Sequence, residues 1–215
     1  MQLYVWAAAS YGNCKEPAGA SGCAGAALGA CGFQTNHNVT VFTSPDLATW
    51  TAHSPPAFQC SQSGLGEVIL FCPKLVWNAA TRKYVLWFNW IAGADFSASY
   101  YAVATADSFL GPFTVVVPKV TTLAYSNTGD FSLFVDADGA GYVIYTAHIT
   151  GFPITHQMSV EALTPDYTAT LGAAGSSGFV GASFVEAPAL FRRGAVYYAV
   201  FGQCCCYCQV RAGCD

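Results

Sequence analysis

Charge is what this chain has least of: Asp, Glu, Lys and Arg together make up 9% of its 215 residues. Its eight Lys and Arg are scattered, so no basic stripe exists to neutralise a phosphate backbone, and nucleic acid is excluded as a partner. No uninterrupted apolar stretch reaches the roughly 18–20 residues of a membrane-spanning helix, so no membrane partner is expected. Long runs with apolar residues at three-and-four spacing are missing too, and with them amphipathic helices. Several catalytic signatures are also absent. There is no Gly-x-Ser-x-Gly elbow and no glycine loop that follows a strand and opens a helix to cradle phosphate. His37, His53, His148 and His156 stand at no metal-binding spacing and beside no nucleophile pattern. No cofactor is expected. Met1 leads straight into the strand-like Gln2-Leu3-Tyr4-Val5-Trp6, without the basic head and apolar run of a signal peptide.

What the chain does have is apolar and aromatic bulk. Hydrophobic residues make up 53% and aromatics 15%, enough for a substantial core and too much for a disordered chain. Ten cysteines are a high count for a reducing compartment, and the triplet Asn38-Val39-Thr40 is a glycosylation sequon. Both features point to an extracellular or lumenal protein, in tension with the absent leader. Cys204, Cys205, Cys206 and Cys208 are spaced too densely for the two separated knuckles of a zinc site. With Cys14, Cys23, Cys31, Cys60, Cys72 and Cys214 as partners, disulfide stapling of loops is the expectation, with connectivity open.

Internal repetition is the strongest pattern. Leu3-Tyr4-Val5-Trp6, Tyr84-Val85-Leu86-Trp87, Tyr142-Val143-Ile144-Tyr145 and Tyr197-Tyr198-Ala199-Val200 share one aromatic-rich alternation. Three of them follow an apolar strand and a short polar turn: Leu75–Trp77 then Asn78–Lys83, Leu133–Val135 then Asp136–Gly139, Ala189–Phe191 then Arg192–Gly194. Such turns between alternating strands signal hairpins. The fold class is therefore all-β, and radial repetition of small antiparallel sheets explains the wide intervals better than a plain β-sandwich does. Leu3 to Ala7 has no partner strand before it, and the sequence stops before a further repeat. The expectation is one domain over residues 1–215, an incomplete propeller of about three to four blades with exposed strand edges. Asn13 to Gly32 and Gly172 to Ala182 read as elaborated loops.

In so uncharged a chain, Asp130 and Glu186 at equivalent edges of two hairpins draw attention. Paired carboxylates on rigid strands are what glycoside hydrolysis requires, one protonating the leaving oxygen while others tune it or activate water. Four stretches resemble glycoside hydrolase family 43, the five-bladed β-propellers that cleave arabinan, xylan and galactan. They are Val41-Phe42-Thr43-Ser44-Pro45-Asp46-Leu47-Ala48-Thr49-Trp50-Thr51, then Cys72–Asn78 with Lys83–Trp87, then Gly129–Tyr145, then Val185–Gly202. They fall in the family's order and lie closest to its galactanase-like branch.

That resemblance implies Glu186, in Glu-Ala-Pro, as general acid and Asp130 as the carboxylate that orients the acid and tunes its hold on the proton. It also implies a general-base Asp in the first strand of the first blade, yet no Asp precedes Asp46, and Asp46 matches a surface-turn motif. Glu67 reads as a solvated loop residue. Trp90 and Asn89, at the end of the second-repeat strand, are candidate sugar contacts, with Trp90 offering a stacking face. Lys74 is a candidate partner for a carboxylate or a sugar hydroxyl. Asp136 and Asp138 read as turn residues without a function. The resemblance also implies room for a structural calcium or other ion on the propeller axis, as occurs in relatives, but no ligand set for it stands out here. The expected activity is inverting hydrolysis of a plant- or algal-type polysaccharide by a monomer, impaired if the base is missing. The alternative is a non-catalytic sugar-binding or structural propeller.

Overall fold

The computed structural model describes residues 3–9, 38–92, 98–125, 128–149, 155–180 and 185–203. These form fourteen strands and two single-turn 3₁₀ segments, Cys60–Gln62 and Gly172–Gly175. The first sheet contains β1 (Tyr4–Ala9), β2 (Asn38–Ser44) and β3 (Thr51–Ala52) in that order, with β4 (Phe58–Gln59) also pairing with β2. The second runs β5 (Val68–Asn78), β6 (Lys83–Ala92), β7 (Tyr100–Ala106), β8 (Thr114–Val117). The third runs β9 (Thr128–Val135), β10 (Gly141–Ile149), β11 (Thr155–Ala162), β12 (Ser176–Val180), and the fourth is the hairpin β13 (Val185–Arg193) and β14 (Val196–Gln203). Every pairing is antiparallel, and apart from β4 on β2 each joins strands that are neighbours in the chain. The leading strands touch in succession, β1 against β5, β5 against β9 and β9 against β13. That is radial repetition about an axis, left open: an incomplete β-propeller.

The three sequence-read hairpins form where expected. Gly139 (φ +87°) closes the β9–β10 turn, where its N–H donates to the Asp136 carbonyl at 3.0 Å, and Gly194 (φ +61°) closes the β13–β14 turn. At the β5–β6 turn Arg82 takes the left-handed conformation (φ +55°), and the Asn78 side chain ties the turn down. Its Oδ1 accepts from the Thr81 N–H at 2.8 Å and from the Thr81 hydroxyl at 2.9 Å, while its Nδ2 donates to the Pro165 carbonyl at 2.8 Å.

The core lies between sheets, and β6 shows why. Leu86, Phe88 and Trp90 pack with Val39, Val41, Phe58 and Leu70, between sheets one and two. Val85 and Trp87 face the other way, toward Tyr101, Phe131, Val143 and Tyr145, between sheets two and three. A strand buried on both faces cannot alternate polar with apolar, which is why Tyr84 to Ile91 is nearly all apolar. Gly111 (φ +77°) fixes sheet two on sheet one: a Cβ there would collide with the Ala57 carbonyl, which accepts the Phe113 N–H at 2.9 Å.

One expectation is corrected. Gly172 to Val180 is not a loop; it is a 3₁₀ turn followed by strand β12, which pairs with β11 at Ser159↔Phe179 and Glu161↔Ser176. Short Ser and Gly residues carry little strand propensity of their own, but the open edge of β11 supplies a ladder that overrides it. The other expected loop, Asn13 to Gly32, lies outside the described residues. So do all cysteines except Cys60 and Cys72, and no disulfide joins those two.

Candidate active site

Two strands carry the same irregularity. In β5, Phe71 pairs with Asn89 and Lys74 with Trp87, so Cys72 and Pro73 oppose one residue of β6. In β13, Glu186 pairs with Gly202 and Ala189 with Val200, so Ala187 and Pro188 oppose one residue of β14. Each bulge has a left-handed residue before the proline, Cys72 at φ +49° and Ala187 at φ +53°. Proline removes a ladder donor, and a bulge bends its strand and re-aims the side chains beside it. The second sheet thus holds Cys72 inside its bulge, and the fourth holds Glu186 immediately before its own.

Between them, β9 supplies Asp130, and sheet two fastens the backbone just before it. Asn89 Nδ2 donates to Thr128 Oγ1 at 3.1 Å and to the Thr128 carbonyl at 3.3 Å, and the Ser99 hydroxyl donates to that same carbonyl. The buried Tyr101 hydroxyl donates to the Gly129 carbonyl at 2.8 Å. Phe131 then packs against Tyr101, with ring centroids 4.6 Å apart. Asp130 therefore sits on a backbone with little freedom to shift.

The Cys72 thiol donates to Asp130 Oδ1 at 3.2 Å. Burial first, then the charge and hydrogen bond of Asp130, push this thiol up to about 12, with Glu186 adding to the rise and Lys74 opposing it. Cys72 thus lies in hydrogen-bond contact with Asp130 and within electrostatic range of Glu186 and Lys74, which groups these residues as one candidate site. Lys74 also places its Nζ 5.9 Å from the Phe131 ring centroid. On the far side, His156 of β11, 8% exposed, sets Nδ1 3.1 Å from Glu186 Oε1. A partly exposed carboxyl, a second carboxylate, a cation and an imidazole are the kinds of group that can pass a proton to, and stabilise charge on, a bound polar molecule.

Trp90 and Asn89 do not join this group. Trp90 is 5% exposed within the core between sheets one and two, and its Nε1 donates to the Pro118 carbonyl at 2.8 Å, so its face is not open to a sugar. Asn89 spends its amide on Thr128 and on the Tyr100 carbonyl at 3.1 Å; it positions the Asp130 strand instead of touching a ligand. Glu67 is exposed just ahead of β5. Asp136 turned out to have a structural role. It accepts from Arg192 Nη1 at 2.8 and 3.0 Å and from the Tyr197 hydroxyl, strapping sheet four to sheet three.

Sequence reasoning missed Cys72 and His156. The repeated x-Pro step, Cys72-Pro73 beside Ala187-Pro188, was a readable signal for the first. His156 had none, because its neighbour arrives from another sheet.

A family model for glycosyl hydrolases family 43 matches residues 28–212. The chain belongs to glycosyl hydrolase family 43. A family 43 β-1,3-galactosidase structure superposes with a TM-score of 0.71 at 23% identity, covering 94% of this chain and 38% of that one. An exo-β-1,3-galactanase from Clostridium thermocellum gives 0.63 at 23%, covering 78% and 37%. An exo-β-1,3-galactanase from Phanerochaete chrysosporium, solved with β-1,3-galactotriose, gives 0.62 at 20%, covering 76% and 36%. This family 43 chain therefore spans well under half the length of these three structures. No curated protein matches it significantly.

Proposed function

We propose that this chain carries the acid half of a glycoside hydrolase site, acting on O-glycosidic bonds of a plant- or algal-type polysaccharide. Galactan, arabinan and xylan are the candidates, and the galactosidase and galactanase neighbours favour β-1,3-linked galactose. Glu186 is the proton donor to the leaving oxygen, and Asp130 the carboxylate that orients it. Lys74 is the candidate partner for a sugar hydroxyl or a carboxylate. Hydrolysis proceeds as a single inverting displacement, with acid and base about 6.5–9.5 Å apart to admit a water. No described residue is assigned as that base.

What supports this reading is the family 43 match over residues 28–212, beside which Asp130 accepts from the Cys72 thiol at 3.2 Å and Glu186 meets His156 at 3.1 Å. The working unit is a single domain acting as a monomer. Cysteine content and the sequon, whose Asn38 opens β2, favour an extracellular setting.

The purified chain is to be incubated with β-1,3-galactan, arabinan and xylan oligosaccharides while products and binding are followed. Glu186→Gln is expected to lower cleavage at least about 10³-fold while sugar binding persists. Sugar binding without cleavage by the parent chain would instead establish a non-catalytic binding module. Neither binding nor cleavage would overturn both.

A further inference from the structure

The β5 bulge has a consequence beyond its resemblance to the β13 bulge. At the equivalent position β13 carries Ala187, which is exposed and has no polar side chain. In β5 the position holds Cys72, pinned at φ +49° ahead of Pro73, with its sulfur 3.2 Å from Asp130 Oδ1. We propose that Cys72 is a positioning residue: its S–H donates to Asp130 and fixes that carboxylate's rotamer toward Glu186. This rests on the hydrolase reading proposed above.

The chemistry is consistent in direction. A thiol hemmed in by burial and two carboxylates keeps its proton at every pH at which a glycosidase works, so it serves as a permanent neutral donor. A neutral donor orients Asp130 without cancelling its charge, whereas an arginine or lysine there would pair with it and screen it from Glu186. Lys74, the nearby cation, opposes the thiol's rise and so stands close enough to share the same field.

Two measurements test this. In the first, Cys72 is alkylated with iodoacetamide at pH 8.5. The thiolate displaces iodide, giving a thioether with the proton released to buffer, and labelling is mapped to Cys72 by peptide fragmentation. With the thiol at about 12, roughly one sulfur in 3,000 is ionised at that pH, so the parent labels slowly. Asp130→Asn is expected to speed labelling about tenfold or more, Glu186→Gln by less, and Lys74→Gln to slow it. An unchanged rate in Asp130→Asn overturns the contact. These variants leave Cys72 itself intact, so its folding tolerance is not at issue.

In the second, Cys72→Ala is expected to lower kcat about tenfold with KM within about twofold, and Cys72→Ser, which keeps a donor, to recover most of the loss. Cys72→Ala matching the parent while Glu186→Gln abolishes cleavage overturns this inference and leaves the hydrolase reading standing. If the parent cleaves nothing, the hydrolase reading falls and the labelling rates alone decide whether Cys72 holds Asp130.

Discussion

Replacing Trp87 by Phe should reveal how firmly the second and third sheets are joined. Trp87 is fully buried, and its Nε1 donates to the Tyr167 carbonyl at 2.7 Å across the junction. Phenylalanine keeps one aromatic ring but removes the donor. The carbonyl left behind belongs to a residue at φ +61° that is itself 4% exposed, so it has little freedom to turn toward water. An orphaned buried acceptor costs about 1–3 kcal/mol. Losing the second ring forfeits about another 1–2 kcal/mol of burial and packing.

The sum is about 3 kcal/mol, a large share of the roughly 5–15 kcal/mol that holds a typical domain together. Equilibrium urea unfolding followed by far-UV circular dichroism is the assay, since removing a tryptophan alters fluorescence. Trp77→Phe is the control: Trp77 is 44% exposed, and its change should stay within about 0.5 kcal/mol. If Trp87→Phe costs no more than Trp77→Phe, the cross-sheet bond contributes nothing net and the argument fails. Position adds a functional readout. Trp87 pairs with Lys74 across the β5 bulge, and its ring lies 6.3 Å from that of Phe131, the neighbour of Asp130. Any sugar affinity should therefore fall with stability.

Two further substitutions probe other joints. The Asp136 carboxyl is held down at about 2, first by the Tyr197 hydroxyl, then by Arg192 and the Ala137 N–H. A depressed acid stabilises the fold above its unfolded value near 3.9, and that stabilisation fades as pH falls toward 2. Asp136→Asn should therefore flatten the drop in Tm between about pH 4 and pH 2, and an unaltered slope would show the strap to be idle. Asn78→Ala removes one bond to Pro165 of sheet three's outer loop and two that close the β5–β6 turn. With Asn78 only 1% exposed, the expected cost is about 2–3 kcal/mol in the same urea assay, and a loss under about 0.5 kcal/mol would mean that water replaces the amide.

What the sequence disclosed was what is locally encoded. Asp138-Gly139 and Arg193-Gly194 dictate their turns whatever surrounds them, so the hairpins were readable, and with them the strands that bear Asp130 and Glu186. Tertiary facts were not. Asn89 and Trp90 lie near the end of β6, but both faces of that strand are claimed by neighbouring sheets, so both side chains are buried between them. Cys72 was taken for a disulfide partner because cysteine count speaks to compartment, while its place in a bulge beside a carboxylate speaks to chemistry. β12 was hidden because Ser176, Ser177 and Gly178 form a strand only when β11 offers an edge.

β14 shows the same limit from the other side. Val196-Tyr197-Tyr198-Ala199-Val200-Phe201 reads like β6, yet Val196, Tyr197, Tyr198, Val200 and Phe201 are each 42–52% exposed. A sequence states a strand's appetite for neighbours and is silent on whether they are present. The consequence falls on Glu186, because among the described residues the hairpin that carries it packs on sheet three, against β9, β10 and β11. Among the described residues, what orients it is a small set of contacts with sheet three. Arg192 and Tyr197 hold Asp136, the Phe134 and Tyr197 rings meet edge-on at 6.1 Å, and His156 meets Glu186 itself. Asp136 lies at the far end of the hairpin from the acid, but a two-stranded ribbon pivots as a unit. Releasing that strap should therefore misplace the proton donor, so that Asp136→Asn lowers any cleavage at neutral pH, where the strap's stabilisation is fully present and its loss greatest, even when assayed well below the variant's Tm.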